Sequence, residues 1–174
     1  MELIEFTLVL LPLMGFIFLL VDLGWAIYKN ATMQFAVREG CRYAVTNQVQ
    51  ALTDSNGKAY GLLDSVKWVV QRRAMGFLGS KSTDPGYALI QVRFFDPTAS
   101  LTNALPIPAN CASSTAAPNW SGNLVEVSVE NYQAQAMAPL LRSVTPLTFV
   151  VRSADRMEGN PMTGVPRTFN GTCP

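Results

Sequence analysis

Two carboxylates, Glu5 and Asp22, bracket an apolar run. From Phe6 to Val21 there are 16 residues without a charge, and only Thr7 is polar. An unpaired acid in hydrocarbon costs about 2.5–3.5 kcal/mol on the membrane-insertion scale. Glu5 therefore calls for a cationic partner. Met1, if its amine is free, supplies one: positions 1 and 5 share a helix face. The stronger pairing is between copies, with the ammonium of one chain meeting Glu5 of the next in a helical stack. A buried pair of this kind is tolerated only while both charges are matched, and removing one side costs about 3–5 kcal/mol. It would also fix axial register, as a buried polar group does in a coiled coil. Asp22 is an intramembrane polar residue with two roles open, pairing near the interface or lining a polar seam between helices.

Other chemistry is sparse. The chain has no histidine, which removes the commonest general base and metal ligand. No carboxylate pair in a Gly-rich setting and no nucleophile motif stands out. The expectation is that this is not an enzyme and uses no cofactor or metal. The formal charge of +1 gives no field for a polyanion, so no nucleic-acid partner is expected. The cysteines are Cys41, Cys111 and Cys173. None is close enough to another for a zinc or redox pair. Cys111 and Cys173 lie in Pro/Ser/Thr/Gly-rich segments, which favours a disulfide between them in an oxidising compartment. Pairing of Cys41 with either is the alternative, but it asks a helix to meet a loop.

The elements that must position these residues follow from patterning. Charged residues are only 14% of the 174, and apolar residues 49%. So few charges imply a surface hidden in membrane or against other subunits. Phe6–Tyr28 is 23 residues, about 34 Å as helix, enough to cross a bilayer. Trp25 and Tyr28 could mark its water interface. Pro12, Gly15 and Gly24 would loosen the helix or permit close approach of another. Helical spacing continues through "KNATMQFAVREGCRYAVTNQVQ", placing one long helix at 1–51 and a globular head at 52–174. In the head, "LTDSNGKAYG" is a turn-rich break. A shorter helix is expected from Leu62, with Asp64 or Ser65 near its start and Gly79 ending it. "YALIQVRFFDP", "LVEVSVENYQ" and "LTFVVRSADRMEG" alternate as strands. A long loop at 97–122 and an irregular tail at 159–174 complete the head, and "AMAPLLRSV" is expected to form a helical turn. The fold class expected is α+β: a long N-terminal hydrophobic helix, a short helix and a three- or four-stranded antiparallel sheet.

A longer pattern joins these features. "IEFTLVLLPLMGFIFLLVDLGWAIY" is followed by "FAVREGCRYAV". The run of Glu5, Phe6, Pro12, Asp22, Gly24, Arg38, Glu39, Gly40, Arg42, Tyr43 and Ala44 resembles the TadE-like pseudopilins of tight-adherence systems, within the type IV pilin superfamily. "VVRSADRMEG" is similar to that family's closing strand. Trp25 departs from the basic residue often found after the glycine, and Cys41 from a small residue. The resemblance is specific over residues 1–45 and loose beyond. It implies a pilin-like fold and a mature end exposed when a prepilin peptidase removes a short basic leader, so that Met1 is a processed terminus. It further implies an inner-membrane precursor with a periplasmic head. An inner-membrane platform and motor ATPase would then assemble it with copies of itself into an extracellular helical filament. The alternatives are a minor pseudopilin that primes or tips such a pilus, and a single-pass membrane-anchored periplasmic binding module.

Overall fold

In a computed structural model, residues 2–53, 57, 60–98, 101–105, 121–134 and 146–158 are described. The first element, α1, is a helix over Glu2–Val45. Helical hydrogen bonding continues through Pro12, although the ring deprives the Leu8 carbonyl of its donor. The helix ends where Asn47 turns back in the left-handed region (φ 53°) and its N–H reaches the Ala44 carbonyl at 3.0 Å.

The two halves of α1 have opposite surroundings. In the C-terminal part, Met33, Ala36, Val37, Cys41, Ala44 and Val45 are buried. They recur at i, i+3, i+4, i+8, i+11 and i+12, the apolar stripe of a helix that packs on a core. In the N-terminal part, the most apolar window of 18 residues has no buried share.

The second helix, α2, spans Leu62–Arg73 and packs along α1. The Asp64 carboxylate accepts the Gly61 N–H at 3.4 Å and the Tyr87 hydroxyl at 2.7 Å. Ser65 donates to the Gly61 carbonyl at 2.6 Å and accepts the Gln50 N–H at 3.0 Å. Both residues expected near the helix start therefore fasten it. The helix stops earlier than Gly79. Met75 and Gly76 both take positive φ, 51° and 87°, and this reverses the chain directly after the cap at Ala74. The Ala74–Leu78 turn is anchored by Gln71, whose amide donates to the Leu78 and Lys81 carbonyls at 3.0 Å each.

A short helix, α3 at Pro85–Leu89, occupies residues expected to open a strand. Pro85 suits the first helical position after the extended Asp84, and the strand proper begins one residue after α3. Strands β1 (Ile90–Phe95), β2 (Leu124–Ala134) and β3 (Leu147–Arg156) form an antiparallel sheet in the order β1-β2-β3. The register pairs Val92 with Val127, Phe94 with Val125, and Val129 with Val151. These side chains point at α1 and α2 and complete the core. A bulge lies between Val129 and Tyr132, where Asn131 has φ 59°.

The fold is thus α+β: a long apolar helix, short helices and a three-stranded antiparallel sheet. Met1, Cys111, Cys173, the 135–145 segment containing the expected turn, the tail at 159–174 and most of the 97–122 loop lie outside the described residues.

Candidate functional site: the apolar half of the first helix

Functional geometry concentrates on the part of α1 that leaves the head. Leu8, Leu11, Phe16, Val21, Leu23 and Ile27 are between 54% and 75% exposed, and no described residue of the head covers them. A stripe buries one face of a soluble helix; here every face is apolar and open. The exposed apolar surface far exceeds the few hundred Å² that a free monomer ordinarily shows. This half is long and apolar enough to cross a membrane, and it is compatible with membrane anchoring.

Glu5 sits on this open surface as an exposed side chain. The ion pairs Arg93–Glu126, Arg93–Glu130 and Arg152–Glu130 all lie in the sheet, away from Glu5. Asp22 is half-buried, 17 residues along the same helix. The two acids are therefore far apart, about 25 Å at 1.5 Å per residue, and do not form one site. Around Gly15 and Gly24 a β-carbon would meet nothing within 4 Å. Any close approach at these glycines must come from another molecule.

At the head end of the apolar half lies an aromatic cluster. Trp25 and Tyr28 stack at 5.5 Å between ring centroids. Phe77, from the turn after α2, meets both edge-on at 5.9 and 6.1 Å. The Tyr28 hydroxyl donates to Met75 Sδ at 3.2 Å. Lys29 Nζ lies 5.4 Å from the Trp25 centroid and 5.8 Å from that of Phe77. Trp25 and Tyr28 stand out in the sequence as interface markers. The participation of Met75 and Phe77 does not, because it depends on α2 running back along α1.

Cys41, a departure from the motif, is a core residue outside the apolar half. Its Sγ lies 3.8 Å from the Val125 carbonyl oxygen, the thiol donating. Burial is the main cause that pushes the thiol up to about 11. It is free and stays protonated at neutral pH. Arg38 and Arg42 of the same motif are exposed on α1, with Glu39 half-buried between them. Glu39, Arg42 and Tyr43 of α1 line an open groove of about 360 Å³, with Trp68, Arg72 and Arg73 of α2 opposite. Arg72 lies over the Trp68 ring at 5.1 Å.

A long apolar helix that projects from a small α+β head defines a class of single-helix, membrane-anchorable proteins. Within it, the TadE-like protein family matches residues 3–42. That stretch, which holds Glu5, Pro12, Asp22 and the Arg38–Arg42 motif, is similar to TadE-like proteins. Neither a curated protein nor a solved structure matches the chain.

Proposed function

We propose that the chain is a structural subunit of a pilus-like helical filament, built with copies of itself. Before assembly α1 holds it in the inner membrane with the head in the periplasm. After assembly the same helix lines the filament core, and the head faces outward. The observation that carries this reading is the open half of α1, apolar on every face and interrupted near its start by Glu5. Lipid satisfies the apolar faces but not the acid. A stack of identical helices satisfies both, because the amine at Met1 of one copy can meet Glu5 of another.

The energetics separate the two environments. Burying a leucine-sized side chain from water yields about 1.5–3 kcal/mol, but lipid already supplies that. Transfer from bilayer to filament must gain from packing and from the Glu5 pair, and it needs work from a motor ATPase on an inner-membrane platform. Processing by a prepilin peptidase would free the amine at Met1. Pro12, Gly15 and Gly24 let neighbouring helices bend and approach. The protein acts by assembly, without catalysis, cofactor or nucleic acid.

The test is Glu5→Ala. The variant is expected to remain in the membrane fraction at normal abundance while its incorporation into sheared filaments is abolished. Normal filaments from the variant would sink the role of Glu5. Electron microscopy of purified wild-type material separates the classes: a fibre with this chain as its repeat supports the main-subunit reading. Its presence only at tips supports a minor pseudopilin. A detergent-stable monomer indifferent to Glu5 supports an anchored binding module.

A further inference from the structure

The geometry points to a second membrane-contacting element: the Ala74–Leu78 turn rests in the lipid headgroup layer beside Trp25 and Tyr28, with Met75 at its tip in the acyl boundary. This inference rests on α1 being a bilayer helix.

Position comes first. The α2 helix starts beside Gln50, where Ser65 accepts its N–H, and ends beside Tyr28, which donates to Met75. The helix thus runs back along α1 toward the apolar half. Its closing turn is where the head meets that half. Trp25 and Tyr28 are 36% and 44% exposed at the end of the open run. Indole and phenol rings collect at the water–lipid boundary, because one end is apolar and the other can hydrogen-bond.

Chemistry comes next. Phe77 packs edge-on against both rings and joins the turn to the belt. Met75 extends from it 68% exposed, and no described residue of the head covers it. Lone apolar side chains on a surface are unremarkable. This one is continuous with a lipid-facing surface more than 20 residues long. On the head side stand Lys29, over the Trp25 and Phe77 rings, and Arg72 and Arg73 in the last turn of α2. An apolar tip below a cationic layer matches a bilayer with anionic headgroups, which attract lysine and arginine side chains near the surface. Two contacts fix the tilt of the head, where α1 alone would leave it free to lean.

The test uses the full chain, with an environment-sensitive fluorescent amino acid placed singly at Met75, Val21 or Thr46. The protein is reconstituted in vesicles of roughly 7:3 phosphatidylcholine to phosphatidylglycerol, with and without bromine on the acyl chains. All three sites are exposed in the chain, so each tolerates the probe. Bromolipid quenching at Met75 is expected within about twofold of that at Val21 and several-fold above that at Thr46. Quenching at Val21 with none at Met75 overturns the inference and leaves α1 in the bilayer. No quenching at Val21 removes the membrane reading and the inference with it. Emission at Met75 that is unquenched, blue at high protein-to-lipid ratio and red on dilution assigns the turn to a second copy, and also overturns the inference.

Discussion

At the residue scale, Gly40 has the clearest necessity. It lies on the buried face of α1, and a β-carbon there would collide with Val70 Cγ2 of α2. Val70 is itself fully buried and β-branched, with little freedom to move aside. Gly40→Ala thus sets two effects against each other. Alanine improves the helix by about 1 kcal/mol, while overpacking a filled core costs about 1–3 kcal/mol. The expected outcome is a net loss of stability in the wild-type background and a gain of roughly 1 kcal/mol in a Val70→Ala background. A double-mutant cycle on detergent-solubilised protein, read by denaturant unfolding, checks it. Additive effects would mean that α1 and α2 do not meet at this glycine. Glu39, Arg38 and Arg42 around it point outward, so the motif combines a packing residue with a polar face.

At the element scale, the sheet is fastened on its outer face by one acid shared between two bases. Glu130 on β2 accepts from Arg93 of β1 at 2.7 and 3.1 Å and from Arg152 of β3 at 3.4 Å. These bonds, that from Arg93 foremost, hold the Glu130 carboxyl below its usual range. A lowered folded value gives stability that is present above the ordinary carboxylate value, near 4.3, and lost as pH falls through the folded one. The side chains of Arg93 and Glu130 are 34% and 24% exposed, so solvent limits the contribution to about 0.2–1 kcal/mol. Glu130→Gln is expected to lose that amount at pH 7 and nothing once acid has protonated the wild-type residue. Unfolding free energies measured at both pH values check it. The three strands and both longer helices are legible in the sequence, because alternation in "VEVSVE" and the stripe from Met33 to Val45 each fit one element only. The short α3 is not, because "YALIQV" alternates well enough as a strand and only the preceding Asp84-Pro85 argues for a helical turn. The end of α2 at Arg73 is hidden for a similar reason: Met75 at φ 51° is a conformation that side chains rarely adopt. Of the candidate site, Glu5, Asp22 and the aromatic pair can be found from the sequence. The Met75–Phe77 contribution depends on a long-range contact that local patterning does not encode.

At the scale of the whole molecule, α1 serves two solvents with one helix, and the boundary between them is sharp. Up to Tyr28 its apolar side chains face outward; from Met33 to Val45 all of them except Phe35, 50% exposed, pack into the centre of the head. Two truncations should therefore behave in opposite ways. Removal of residues 1–28 deletes the exposed apolar surface and the Trp25 and Tyr28 contacts to Phe77, each worth about 0.5–1.5 kcal/mol beyond burial. That loss is small against a domain stability of about 5–15 kcal/mol. The remaining 29–174 chain is expected to be soluble without detergent, monomeric and cooperatively folded. Removal of residues 1–45 also takes Met33, Val37, Cys41 and Val45 from the core. At about 1.5–3 kcal/mol each for such side chains, the loss is roughly 6–12 kcal/mol, comparable to the whole stability. It also strips the inner face of β1 and β2, leaving Val92, Phe94, Val125 and Val127 open to water. The 46–174 chain is expected to aggregate or to show no cooperative transition. Thermal unfolding by circular dichroism with size-exclusion chromatography compares the two directly. A cooperatively folded 46–174 chain would show that the head is independent of α1. An insoluble 29–174 chain would show that the open half supports the head as well as anchoring it.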